Sequence, residues 1–162
     1  MTTLAAWLSA FRTLHEKARK GTLVGIERDD YHAGRDELAR ALLAAQRLTV
    51  AQGQPPRQAI RVARALQLDL DLLTSRERAI TLDLSTGGFS CLLAKAPPLG
   101  DEARFSLRLP GAEALSGHAR VTDAKPNAGN VRVSFQMIGL SPEERERVEL
   151  FVFDTLLAQL AP

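Results

Sequence analysis

The sequence predicts an α+β protein that is mainly β: a six-stranded antiparallel β-barrel with a C-terminal helix, preceded by an N-terminal α-helical hairpin. Three observations carry this reading. Apolar residues recur with a helical period across the first part of the chain. The stretch "AQGQPP", Ala51–Pro56, then breaks the chain, because a glycine and a proline pair push their neighbours out of helical geometry. Beyond it the apolar period becomes 2, as in half-buried strands, until a capping motif at Ser141 restores a helix. The natural division is residues 1–50 as the helical hairpin and 51–162 as the barrel with its C-terminal helix.

Leu4, Trp7, Leu8, Phe11 and Leu14 form an i, i+3, i+4, i+7 stripe over Leu4–Lys20, and Gly21 is placed to stop that helix. A second helix is expected over Ile26–Leu48, with Tyr31, Leu38, Leu42, Ala45 and Leu48 inward, arginines and acids opposite, and Gly34 weakening its middle. The short "GTLVG" connection makes the two antiparallel. In "RALQLDLDLL" the leucines 66, 68, 70 and 72 alternate with Gln67, Asp69 and Asp71, giving the first strand. "AITLDLS" and "GFSCLLA" pair around a Ser85–Gly88 turn; "ARFSLRL", "ALSGHARVTDA" and "NVRVSFQMI" complete six strands with regular turn signals. In "SPEE", Ser141 is the N-cap, Pro142 the first helical residue and Glu144 the reciprocal acid of a capping box. Val148, Phe151, Val152, Thr155, Leu156 and Leu160 then form one broad apolar face.

Composition narrows the function. The chain has 162 residues, 45% hydrophobic and 25% charged, which suits a soluble globular protein. Net charge is only +2, so anion binding must come from local clustering, and a broad nucleic-acid stripe is lacking. Cys91 is the one cysteine: no internal disulfide can form, and its place in an alternating run reads as a buried thiol. His15, His32 and His118 lie in different elements without metal-ligand spacing, so no metal and no cofactor are expected. "LAAWLSAF" is too short for a signal sequence or a membrane span, so a cytoplasmic location is expected. Ser85 has no evident base, since His118 on another strand is a remote partner, and an enzyme is not expected.

Two stretches draw attention. Arg57, Arg61 and Arg64 sit between the proline pair and the first strand, where a stable helix has little room. An irregular arm would let each guanidinium grip a phosphate in a bidentate manner or meet a guanine. Arg104 and Arg108 repeat the spacing inside a strand and read as surface residues. In "DLSTGG", Asp83 can accept from guanine N1–H and the exocyclic amine, Ser85 adds a hydroxyl, and Gly87 and Gly88 permit positive φ and close approach. The bland alternative is a hairpin turn with Asp83 and Ser85 bonded to their own backbone.

Taken in order, an R-x-x-x-R pair at Arg57 and Arg61 and a D-x-S-x-x-G at Asp83, Ser85 and Gly88 resemble the PilZ domain family, receptors for cyclic di-GMP. The "GHARV" and "NVRVSF" strands and the C-terminal helix extend the resemblance over about Pro55–Leu160. It implies a PilZ-like β-barrel and a non-catalytic receptor whose ligand is cyclic di-GMP (c-di-GMP). By the same resemblance Arg57 and Arg61 clamp phosphates and meet guanine, Asp83 and Ser85 read a guanine edge, and Gly88 admits the ligand, with Arg64 and Gly87 as additional contacts. The like-charged arm from Gln54 to Arg64 is expected to become ordered on a dianionic ligand and to relay that change through the helical hairpin. A protein partner or self-association would use Trp7, Phe11 and Tyr31 as anchors. The alternative is a degenerate PilZ-like adaptor that binds no nucleotide.

Overall fold

The computed structural model describes residues 3–48 and 60–159. Two helices come first, α1 (Leu4–Lys20) and α2 (Gly25–Leu48), followed by strands β1 (Arg61–Val62), β2 (Gln67–Asp71), β3 (Arg76–Ser85), β4 (Gly88–Leu93), β5 (Glu102–Leu107), β6 (Leu115–Asn127) and β7 (Asn130–Ile138). The last element is α3 (Pro142–Gln159). Contacts divide the chain into two compact units: residues up to Ile60 together with those from Phe153 onward, and Arg61–Val152. Among the described residues no helix is long and apolar enough to cross a membrane.

The second unit is the expected barrel. Its antiparallel strands run in the order β1-β3-β2-β5-β6-β7-β4, and a further β3–β4 pairing closes the six long strands on themselves. Closure leaves no open edge among those six, and the two-residue β1 is added outside β3. Alternation places Leu68, Leu70, Leu107, Leu115, Val121 and Val133 almost fully inside. Phe89 fills the centre, stacked on Phe135 at 5.2 Å and edge-on to Phe105 at 5.4 Å. The capping box is formed: Ser141 Oγ accepts from Glu144 N–H at 3.1 Å, and Ser141 N–H donates to Glu144 Oε1 at 2.9 Å. These bonds lower the Glu144 pKa.

Strand β3 departs from simple alternation. Ile80 and Leu82 of the aliphatic run are exposed, whereas Thr81 and Leu84 are buried. Alternation holds through Leu82, with Ile80 and Leu82 on the outer face in phase with Arg76 and Arg78; the β3–β4 register then shifts between Thr81 and Asp83, and Leu84 turns inward. A bulge of this kind re-aims the side chains that follow it. It lies directly before the "DLSTGG" turn.

The helical unit is packed around aromatic rings. Phe11 stacks between Trp7 and Tyr31, with ring centroids 5.5 Å away on both sides. Gly34 has a positive role here, because a Cβ at that position would come within 3.0 Å of the Phe11 ring. Phe11 and Tyr31 are buried in this stack and cannot serve as anchors for a partner, contrary to the expectation from sequence. Leu4 is also misplaced by the stripe: it is 74% exposed in the first turn of α1. Arg35, expected on the polar side of α2, is buried with its guanidinium over Tyr31 at 5.3 Å and over Phe153 at 5.9 Å. Its flat, weakly hydrated head makes such stacking tolerable. The side chains of Ala45 and Leu48 lie outside the described residues. So does Leu160, while α3 buries Phe153 and Leu157 beyond its expected face.

Candidate ligand site

Arg61 and Asp83 come from the two separate motifs, and strand pairing brings them together. β1 runs antiparallel to β3 with Arg61 opposite Ser85 and Val62 opposite Leu84, so Asp83 is the diagonal neighbour of Arg61. Arg61 Nη1 lies 3.9 Å from Asp83 Oδ2. Of the described part of the arm, Arg61–Val62 form a short strand and residues 63–64 are irregular, with Ile60 and Val62 buried. Arg57, Pro56 and Gln54 lie outside the described residues. Arg64 is placed over the Phe151 ring at 5.6 Å, a cation–π distance.

A buried threonine fixes the chain just after the arm. Thr81 Oγ1 donates to the Arg64 carbonyl at 2.6 Å and accepts from Leu66 N–H at 2.9 Å. Thr81 N–H also donates to the Leu66 carbonyl at 2.9 Å. One side chain thus satisfies the backbone where β1 gives way to β2, a region that cannot bond in a regular ladder.

Asp83 is held from two sides. Ser90 Oγ donates to Oδ1 at 2.9 Å, and Arg132 Nη2 donates to Oδ2 at 2.6 Å. The register explains Ser90, which faces Asp83 across β3–β4. Arg132 arrives from β7, opposite Leu92 of β4 on one side and Lys125 of β6 on the other. Neither Ser90 nor Arg132 is a residue of the R-x-x-x-R or D-x-S-x-x-G motifs; Arg132 lies in the "NVRVSF" strand of the resemblance without a role there, and Ser90 shows only as a polar position on a strand.

Ser85 and the glycines behave as a turn. Ser85 Oγ accepts from Gly87 N–H at 3.2 Å and Gly88 N–H at 3.0 Å, and donates to the Gly88 carbonyl at 3.3 Å. That is half of the bland alternative: Ser85 bonds to its own backbone, whereas Asp83 bonds to side chains of β4 and β7. The expected positive φ is absent at Gly87 and Gly88. Gly88 is required for another reason, since a Cβ there would lie 2.1 Å from the Phe135 carbonyl oxygen of β7. The glycine admits a neighbouring strand.

His118 faces Arg104 and Ile138 in the register, while Ser85 faces Arg61, so these two residues are not brought together by strand pairing. Cys91 is fully buried, and burial pushes its thiol pKa up to about 12. Among the described residues no group of three or more His, Cys, Asp or Glu side chains could hold a metal ion. Arg104 and Arg108 are exposed on the outer wall, as expected. The site is thus one carboxylate with guanidiniums at its edges, suited to a ligand that offers both N–H donors and negative charge.

The PilZ domain matches residues 55–154. The chain belongs to the PilZ domain family. Among solved structures, this PilZ chain is similar to the Bacillus subtilis inhibitor of motility MotI/DgrA, at 18% identity and TM-score 0.57, covering 65% of this chain and 53% of that one. It is similar to YcgR from Escherichia coli in complex with c-di-GMP, at 21% identity and TM-score 0.56, covering 64% and 47%. It is also similar to the K. pneumonia MrkH–c-di-GMP complex, at 13% identity and TM-score 0.57, covering 66% and 55%. This PilZ chain therefore spans about half the length of these proteins. Comparison with curated proteins gives no match.

Proposed function

We propose that this PilZ protein is a non-catalytic receptor for cyclic di-GMP. The observation that supports the reading most is the meeting of Arg61 and Asp83, from separate motifs, as diagonal neighbours at the rim of β3. In this reading Asp83 accepts from the N1–H and amine of a guanine, and Arg61 meets a phosphate or the guanine face. Arg57, its partner in the R-x-x-x-R motif, lies outside the described residues. Ser85 shapes the turn that presents Asp83; to reach the ligand it would have to give up its weak 3.3 Å bond to Gly88. Gly87 borders the turn, and Arg64 ties the arm to Phe151 of α3.

Ligand binding relieves repulsion among the arm arginines, and the resulting change is the proposed signal to a partner. A protein partner would then meet the hairpin at exposed apolar side chains such as Val24 and Ile26. Calorimetric titration with c-di-GMP tests the proposal. Micromolar or tighter binding is expected, and Arg61→Ala should weaken it by about 30–150-fold, the effect of losing a charge-assisted contact of about 2–3 kcal/mol. Absence of binding, or binding indifferent to Arg61→Ala, would remove the receptor reading and leave an adaptor.

A further inference from the structure

Arg132 lies 49 residues beyond Asp83 in sequence and approaches that carboxylate more closely than Ser90 or Arg61 does, 2.6 Å from Nη2 to Oδ2. We infer that Arg132 is a specificity-determining positioning residue of the c-di-GMP site: it orients the Asp83 carboxylate so that a guanine edge, and not an adenine edge, is accepted. The inference rests on the receptor reading above and adds to it the residue that sets base selectivity.

The terminal torsion of an aspartate is broad, so an unrestrained carboxylate swings through many orientations. Here each oxygen has one fixed donor. Ser90, itself buried, donates to Oδ1 at 2.9 Å, and Arg132 donates to Oδ2. Ser90 Oγ is also 3.4 Å from Arg132 Nη2, so the three groups brace one another. A carboxylate oxygen has two lone pairs, so each keeps one for a ligand. Guanine offers two adjacent donors, N1–H and the exocyclic amine, that match such an oriented pair. Adenine presents an acceptor at N1, which a fixed carboxylate repels. A site built to accept a particular donor pair rejects the base that lacks it far more strongly than shape alone can.

Arg61, 3.9 Å from the same Oδ2, contributes charge at that distance rather than a directed bond. Arg132 also stands directly opposite Lys125 in the β6–β7 register, an arrangement of like charges that costs stability in a sheet. The bond to Asp83 and the pairing of Lys125 with Asp123 at 3.8 Å offset that cost, and two guanidiniums about the one Asp83 carboxylate leave a surplus of positive charge that favours a dianionic ligand. The planar guanidinium matters as well. A lysine there would supply a point charge without a fixed direction.

The test is a calorimetric titration of the full chain and its Arg132→Gln, Arg132→Lys, Asp83→Asn and Arg132→Gln/Asp83→Asn variants with c-di-GMP and with cyclic di-AMP. Arg132→Gln should lose about tenfold or more in c-di-GMP affinity. Its cyclic di-AMP affinity should move much less, so that base discrimination collapses while the melting midpoint stays put. Arg132→Lys should recover little of the discrimination. In the double variant, Arg132→Gln should add almost nothing to Asp83→Asn, because a positioning residue acts only through the group it positions. Equal losses for both dinucleotides, additive losses in the double variant, or full recovery with lysine would each overturn the inference and leave Arg132 as a phosphate contact or a general charge. Unchanged discrimination in Arg132→Gln would overturn it too. An unaltered chain that binds no c-di-GMP would remove the receptor reading itself, a failure distinct from these.

Discussion

Each unit of the molecule holds an aspartate among cationic partners, with opposite polarity of burial. In the helical unit His15 is the buried member at 2% exposure, and Asp154 beside it is 43% exposed and shared with Arg19. In the barrel the carboxylate is the sheltered member: Asp83 is 16% exposed, with Arg61 and Arg132 at 41% and 44%. The helical arrangement turns inward. His15 Nδ1 lies 2.9 Å from Tyr31 Oη, while the 3.4 Å gap from Nε2 to Asp154 is too long for a good hydrogen bond, and the carboxylate acts there as a nearby charge. The barrel arrangement turns outward, with guanidinium N–H groups at the solvent edge and spare lone pairs on a fixed acid. Similar residue types thus serve packing in one unit and, in the proposed reading, recognition in the other.

The heaviest blow to the barrel side of this contrast is Gly88→Ala. Its Cβ would meet backbone, which cannot swing aside as a side chain can, so β4 and β7 must part. Denaturant unfolding should show a loss of about 3 kcal/mol or more, at the upper end of overpacking effects, with the Asp83–Ser90 register disturbed as well. A loss below about 1 kcal/mol would mean that the turn has slack and that Gly88 has a ligand-facing reason instead.

Tyr31→Phe probes the helical side. Removing the hydroxyl leaves a buried imidazole nitrogen without its partner, a change expected to cost about 1–3 kcal/mol in the same unfolding experiment. Ligand affinity should stay as it was. A large change in affinity with little change in stability would dissolve the division of labour between the two clusters.

The smallest effect is one of pH. Burial lowers the His15 pKa from its ordinary 6.5, opposed in part by Asp154 and Glu16 and reinforced by Arg19. The unfolded chain then binds the proton more readily than the folded one. Stability is complete above the ordinary histidine pKa and falls as pH drops below it, by at most about 1.4 kcal/mol per pH unit from this group. Urea unfolding between neutral and mildly acidic pH should show that slope, and His15→Gln should flatten it. A slope of the opposite sign would mean that the Asp154 charge outweighs desolvation.

Much of this architecture was legible from local pattern. "NVRVSFQMI" coincides with β7, and the Ser141–Glu144 cap forms as its spacing indicates. Elsewhere the pattern misled for identifiable reasons. The bulge after Thr81 turns Leu84 inward while Ile80 and Leu82 stay outside, and no two-residue period can announce an extra residue in one strand. Arg35 is buried through its flat stacking head, which a polar-face count treats as solvent-facing. The glycine pair reads in sequence as freedom for positive φ and room for a ligand, whereas Gly88 is needed for the approach of a strand 47 residues away in sequence, at Phe135.

The sequence by itself determined the two kinds of element and the family, because helical and strand periods, caps and motif spacings act over a few residues. It also named Arg61 and Asp83 as separate candidates. Only the tertiary structure decided that Arg61 meets Asp83 diagonally, that Ser85 turns to its own backbone, and that Arg132 and Ser90 hold the acid. Those relations depend on which strands lie side by side and in what register. Barrel closure sets both, and it joins residues whose separation along the chain leaves no local trace.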